Sequence, residues 1–301
     1  MLSTAALVLC VAACLALERL GPRLGLVDAP GGDRKVHRHP APLVGGLAIL
    51  GVTSLLGVAH GWEVFWVWWA GAFLMCGVGV VDDWHELSAV PKLALQTVAV
   101  VVMWGLFLRE ALQPLGAGPG ASLFLALGWI LLASNAVNYT DNCNGLCGGL
   151  SAVSLSGEAA MLGVAGRTEE SGILMVMVGA VCGFLLLNFS SGRVFLGDAG
   201  SLLLGGVAGC FSLRLAGLIP GHPWAGGAVA LLLVAVPILD CFQVTLRRLR
   251  RGQPVWQGDR THLSHELMRR GFNPVHAVVI LWLGQIVSVG AAVALFCGCS
   301  R

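Results

Sequence analysis

Ten apolar runs follow one another along this chain with only short polar breaks between them. They lie at about 2–18, 43–60, 63–81, 92–108, 121–138, 145–165, 171–188, 200–219, 225–245 and 275–298. A membrane-spanning helix takes ~20 apolar residues, so 301 residues patterned in this way leave room for about ten spans and little else. Charged residues make up 11% of the chain and hydrophobic ones 56%. A soluble domain carries roughly 25% charged residues to keep its surface solvated. The deficit runs the whole length, which excludes a soluble globular protein, a disordered chain and a soluble domain on a single anchor. The formal net charge of +2 is too small to point to nucleic acid, and no nucleic-acid partner is expected. The sequence predicts an all-α, polytopic transmembrane helix bundle of about ten spans. It forms one integral membrane domain over 1–301, with 246–274 as the longest loop.

Eight of the ten cysteines lie in or beside apolar runs, where Cys behaves as a small hydrophobe. Cys143 and Cys147 stand apart, but C-x-x-x-C without a second pair is a weak metal or redox signal. Val11-Ala12-Ala13-Cys14 imitates a lipoprotein cleavage box. No Lys or Arg precedes it, and the run continues to Glu18 and Arg19, so a first transmembrane helix is expected.

The polar breaks alternate between two sides. Segments 19–42, 82–91, 139–144, 189–199 and 246–274 fall on one, and both termini fall on the other. Of the 18 Lys and Arg, the first side holds fourteen, counting Lys92 at its boundary, and the second holds Arg109, Arg167 and Arg301. The positive-inside rule makes the first side cytoplasmic and puts both termini outside. The residues that look chemical share that side, whereas a transporter would place ionisable groups near the midplane. A platform for a cytoplasmic active site is expected. Glu158 and Arg214 depart from this pattern, lying ~20 Å along their helices from the cytoplasmic ends. Two readings stand: a pair with each other, or separate snorkelling to the outer headgroups.

Four clusters and one loop could carry chemistry. Asp82 and Asp83 close the third run, and adjacent carboxylates at a membrane boundary need a compensating cation. Lys92 nearby could offer a point charge to phosphate; a solvated helix end is the plainer alternative. Asn135, Asn138, Asp141 and Asn144 recur every three residues, which lines up amides for a base or sugar and a carboxylate for a metal. Helix capping with Gly145 at the turn explains one or two of them. Asp198 stands among Gly197, Ala199 and Gly200 at the start of an apolar run, with Arg193 placed to clamp an anion. A tight interhelical turn would need the same small residues. The fourth cluster runs from Arg247-Arg248-Leu249-Arg250-Arg251 to Asp259, His262 and His265. Its arginines fit positive-inside anchoring, and its histidines share a helical face suited to hydrogen bonds or phosphate rather than zinc. The first loop, 28–46, joins Arg34, Lys35, His37 and Arg38 to Pro and Gly at a helix entry, as an anion-binding edge would.

Taken in order, these motifs resemble the polyprenyl-phosphate N-acetylhexosamine-1-phosphate transferases (glycosyltransferase family 4). Within that family they are most similar to the bacterial undecaprenyl-phosphate N-acetylglucosamine-1-phosphate transferases. The resemblance is carried by D-x-P…R-K-x-H…P-L-V-G-G at 28–46 and D-D-x-x-x-L-x-x-x-x-K-x-x-x-Q from Asp82 to Gln96. It continues through N-x-x-N-x-x-D at 135–141, F-L-G-D-A-G-S at 195–201, P-x-x-D from Pro237 to Asp240, and the basic segment ending at His265. It implies a UDP-N-acetylhexosamine donor, a membrane-held polyprenyl (undecaprenyl) phosphate acceptor, and Mg²⁺, with Mn²⁺ as a substitute. The implied products are polyprenyl-diphospho-sugar and UMP, made in the bacterial cytoplasmic membrane. By the same resemblance Asp198, Asp82 and Asp83 are the metal-binding and catalytic candidates. Lys35, His37, Lys92, Asn138, Asp141, Arg193, His262 and His265 are the substrate-binding ones. A homodimer is left open.

The chain departs from the family pattern at Asn142 and Asn144, where Gly and a second Asp are common. Ser264 interrupts a His-x-His-His, and Ser190 and Ser191 replace a Pro-rich turn. These changes bear on sugar identity. A phospho-N-acetylmuramoyl-pentapeptide transferase ranks second, and a transporter or scaffold is the non-enzymatic alternative.

Overall fold

A computed structural model describes residues 1–28, 41–63, 65–116, 118–189, 191–219, 221–254 and 261–299. The chain is a helical bundle in this order: α1 (Leu2–Leu20), α2 (Gly45–His60), α3 (Phe65–His85), α4 (Ala89–Met103), α5 (Arg109–Ala111), α6 (Pro119–Tyr139), α7 (Leu146–Val164), α8 (Thr168–Asn188), α9 (Gly197–Ala216), α10 (Pro223–Leu233), α11 (Ala235–Arg250), α12 (Leu263–Arg269) and α13 (Pro274–Cys299). A π-helical turn, Trp104–Leu108, joins α4 to α5. Two short strands, β1 (Val27–Asp28) and β2 (Ala41–Pro42), pair antiparallel at the ends of the first loop.

Each expected apolar run is helical along most of its length. Among the described residues, seven helices are long and apolar enough to cross a membrane, or eight if the bent pair α10–α11 is one span. The second run yields only 16 residues of helix. The ninth is broken, with its halves at 79°. The outer surface is apolar: Val8, Leu55, Trp66, Phe73, Phe124, Leu186, Leu283 and Val287 are all exposed. A polar surface would be needed in water, so this is a lipid-facing exterior. Hydroxyls inside the helices turn back onto their own backbone, as Thr53 to the Ile49 carbonyl at 2.8 Å and Ser156 to the Ala152 carbonyl at 2.6 Å. Hydrocarbon offers these groups no other partner.

The bundle is built around α9: 94% of the residues in its apolar stretch are buried, against 22% in the first span. It packs against α2, α3, α6, α7 and α10. Ala199, Gly200, Ser201, Gly205, Gly206, Ala208 and Gly209 keep its surface small enough for neighbouring backbones to come close. Two glycines on those neighbours mark the tightest approaches. A Cβ on Gly46 would strike the Gly200 backbone, and one on Gly79 would strike the Asp198 carbonyl. Both crossings lie at the N-terminal end of α9. The same end is gripped by main-chain bonds from the first loop's far side. The Gly45 amide donates to the Phe195 carbonyl (2.9 Å), the Gly46 amide to the Leu196 carbonyl (3.1 Å) and the Phe195 amide to the Pro42 carbonyl (2.9 Å).

The structure excludes the Glu158–Arg214 pair. Arg214 makes a two-pronged ion pair with Glu170 instead, at 3.0 and 3.1 Å, and lies over the Phe107 ring. Arg214 is in the last turn of α9 and Glu170 in the first turn of α8, so each charge also sits at the favourable end of its own helix dipole. Glu158 lies six residues, about 9 Å, before the end of α7. It is fully buried, and neither carboxyl oxygen has a hydrogen-bond partner among the described residues.

Candidate active site

Four helix ends meet at the N-terminus of α9. From α3 come Asp82 and Asp83, from the first turn of α4 Lys92, from the end of α6 Asn138, and from α9 itself Asp198. The Lys92 ammonium bridges Asp82 at 2.7 Å and Asp198 at 2.6 Å. Asn138 donates to the other Asp198 oxygen at 2.6 Å and to Ser201 at 2.8 Å. One turn further into the bundle, Asn135 and Gln96 pair at 2.6 Å. Lys92 and Gln96 are four apart on α4, and Asn135 and Asn138 three apart on α6, so helical periodicity alone aligns the two rows. Asp82 also accepts the Leu87 amide at 2.8 Å, which shapes the turn into α4.

Asp83 does something different. Its two oxygens accept the Asp198 and Ala199 amides at 2.9 and 3.1 Å. It therefore caps α9 from a neighbouring helix, satisfying donors that no intrahelical carbonyl can reach. The two adjacent carboxylates thus split their work, one facing the shared cation and the other fixing the backbone of Asp198.

Asp141 stands just beyond Asn138 in the turn to α7. It is open to solvent on one side and otherwise walled by protein. That enclosure, with the negative charges of Asp198, Asp83 and Asp28, pushes its carboxyl up to about 8.

A second cluster adjoins this turn. His262 Nδ1 lies 2.7 Å from Asp240 on α11, and the other Asp240 oxygen accepts the Leu263 amide at 2.6 Å. The His262 and His265 rings are 6.1 Å apart, and His262 stands edge-on to Tyr139 at 6.0 Å. Arg248, buried, donates to the Tyr139 hydroxyl at 3.1 Å and lies over its ring. Ser264 donates to Asn142 at 2.7 Å, tying α12 to the α6–α7 turn. The Ser and Asn that depart from the family pattern therefore bond to each other.

Of the residues singled out in the sequence, Asp82, Asp83, Lys92, Asn138 and Asp198 form one contiguous set, with His262 and His265 together on its flank. Arg193 is not in the carboxylate cluster. Its guanidinium is engaged by Glu18, at 2.7 and 3.2 Å. Lys35, His37 and Asp259 lie outside the described residues, although Asp28 and Ala41, which flank the first two, are paired beside the site. Gln96, Tyr139, Asp240 and Arg248 were not singled out as site residues. Gln96 and Asp240 stood at fixed places in their motifs; Arg248 was masked by an arginine run that topology already explained. Among the described residues no three acidic, His or Cys side chains are arranged to hold a metal ion. In the arrangement seen, Lys92 stands between two of the carboxylates and α9 occupies the third.

A model of glycosyl transferase family 4 matches residues 65–216. A Bacillus subtilis protein described as a probable undecaprenyl-phosphate N-acetylglucosaminyl 1-phosphate transferase is 32% identical, over 92% of this chain and 79% of its own length. The chain belongs to glycosyl transferase family 4. The Escherichia coli K12 undecaprenyl-phosphate alpha-N-acetylglucosaminyl 1-phosphate transferase is 31% identical over 91% of the chain and 78% of its own length. The Mycobacterium tuberculosis decaprenyl-phosphate N-acetylglucosaminephosphotransferase is 32% identical over 93% and 78%. The family-4 stretch contains the whole set around Asp198. It ends before Asp240 and His262, which fall in the part of the chain beyond the family match.

Proposed function

We propose that this family-4 protein transfers N-acetylhexosamine-1-phosphate, GlcNAc-1-phosphate first among them, from a UDP-sugar to undecaprenyl phosphate, with release of UMP. The reaction would take place at the cytoplasmic face of a bacterial inner membrane, as the first membrane step of a cell-envelope polysaccharide. The observation that carries this reading is the convergence of Asp82 and Asp198, from helices far apart in sequence, on a single cation at one end of a lipid-facing bundle. The relatives' described activities and the fourteen-to-three charge bias support the substrates and the orientation.

The acceptor phosphate would attack the β-phosphorus of the nucleotide sugar while the bond to UMP breaks. Two anions must meet, and phosphoryl transfer asks chiefly for positioning and neutralisation of charge. Asp82 and Asp198 offer hard oxygen donors of the kind Mg²⁺ takes, and they already share a cation, with the Asn138 NH₂ group holding the second Asp198 oxygen. Asp82 and Asp198 would hold the ion, which would supply Lewis-acid neutralisation of the diphosphate. Asp83 keeps the Asp198 backbone in register, and Lys92, once released from the carboxylates, is placed to meet a phosphate.

The test incubates membranes carrying the protein with undecaprenyl phosphate and a panel of labelled UDP-sugars. Labelled lipid and UMP are expected with Mg²⁺ and neither after chelation. D82N and D198N are expected to abolish both while the protein still inserts. No labelled lipid from any sugar would overturn the reading in favour of a transporter or scaffold.

A further inference from the structure

Asp240 is a buried carboxylate that the reaction described above does not use. It is 3% exposed, and both its oxygens are taken by consecutive residues at the entry to α12: His262 through Nδ1 and Leu263 through its amide. With one oxygen already accepting from Leu263, the other is assigned as acceptor of the Nδ1 hydrogen. Nε2 is then the nitrogen left for a ligand, and it has no protein partner among the described residues. The ring is itself nearly enclosed, with a side chain 8% exposed. It stands against Tyr139, the residue after the Asn138 that holds Asp198, and Ser264 ties the same helix entry to Asn142.

We infer that Asp240 is a positioning residue for the nucleotide sugar, holding the His262 ring so that Nε2 is presented to the donor's diphosphate. The inference rests on the transfer reading above. When the anionic diphosphate binds, Nε2 takes a proton from solvent. The imidazolium then donates from Nδ1 to Asp240 and from Nε2 to a phosphate oxygen. A carboxylate behind an imidazole fixes its tautomer and strengthens what its far nitrogen can do.

The decisive experiment is a double-mutant cycle on full-length protein in membranes, assayed by UMP release. The D240N amide oxygen can keep the Leu263 bond, but its NH₂ group faces Nδ1 and forces the ring hydrogen to Nε2. D240N is expected to raise KM for the UDP-sugar roughly 10–100-fold, to leave KM for undecaprenyl phosphate unchanged, and to melt within a few degrees of wild type. H262A, which removes the ring donor as well as its charge, is expected to raise the same KM at least as much, and D240N added to H262A to do nothing further. ¹⁵N spectra of histidine-labelled protein should show the His262 hydrogen on Nδ1 in the wild type and on Nε2 in D240N. If D240N does not accumulate, D240E, which keeps two acceptor oxygens, enters the same cycle with the same expectation of no further loss. Losses that multiply in the double variant, or a lower kcat with KM unchanged, would overturn the inference while leaving the transferase reading intact. A wild type that turns over no UDP-sugar would overturn both.

Discussion

Lys92 is the residue on which the site balances. Its side chain is 16% exposed, and its ammonium lies within hydrogen-bond distance of two carboxylates that would otherwise repel each other. Replacing it with a neutral chain of similar length, K92M, removes two charge-assisted bonds, each worth about 1.5–3 kcal/mol. Metal-free K92M is expected to melt lower than wild type. Mg²⁺ should then raise its melting temperature more than it raises that of the wild type, since no ammonium has to leave first. Equal shifts in the two proteins would show that the ion binds elsewhere. Asp141 gives a prediction with a definite sign. Its carboxyl is raised from the ordinary 3.8 to about 8, so between those values the folded protein holds a proton that the unfolded chain has lost. Stability of the metal-free protein therefore falls as pH rises through that window, and the contribution from Asp141 is gone above it. In melts at pH 6 and pH 8, D141N should show a smaller decline than wild type.

At the scale of elements, the α10–α11 break depends on one side chain from a third helix. Pro237 has no N–H, so the Leu233 carbonyl four residues earlier loses its helical donor. Gln285 of α13, fully buried, replaces it: its NH₂ group donates to the Leu233 carbonyl at 2.7 Å, and its carbonyl accepts the Val236 amide at 3.0 Å. An unsatisfied backbone pair at this depth has no water to turn to. Q285L matches the volume and removes both bonds, leaving two buried groups unpaired at about 1–3 kcal/mol each. The expected result is a lower melting temperature in detergent, and faster proteolysis near the 233–236 break than elsewhere in the same variant. Wild-type stability in Q285L would mean that the bend carries its own compensation.

For the whole molecule, the site exists because α2 and α3 can approach α9 closely enough for side chains of opposite helices to meet. G79A puts a methyl into the Asp198 carbonyl, which must push α3 away from α9 and separate Asp82 from the carboxylate it faces. Transfer activity should fall by far more than the loss of folded protein explains, whereas alanine at Gly77, where a Cβ meets nothing within 4 Å, should leave activity near wild type. Orientation is testable on the same scale: sealed inside-out vesicles should consume added UDP-sugar, and sealed right-side-out vesicles should not. Equal consumption by both would overturn the cytoplasmic assignment.

The sequence by itself determined the helical, membrane-embedded character of the chain, because apolar run length and scarcity of charge are local properties that any fold of this polypeptide must obey. Through its resemblance to the family, it also set Asp82, Lys92, Asn138 and Asp198 apart as candidates for one site. What it could not carry was pairing. Arg214 had two acidic residues within plausible reach, and only the relative depth of α7, α8 and α9 decided for Glu170 over Glu158. Asp82 and Asp83 are equivalent as neighbours in a string, yet the turn of α3 points one at a shared ammonium and the other at the backbone of α9. Arg193, which its spacing marks as a candidate anion clamp, is met in the structure by Glu18 from α1. A side chain's partner depends on which helices become neighbours and at what height, and that is set by packing across the bundle rather than by spacing along the chain.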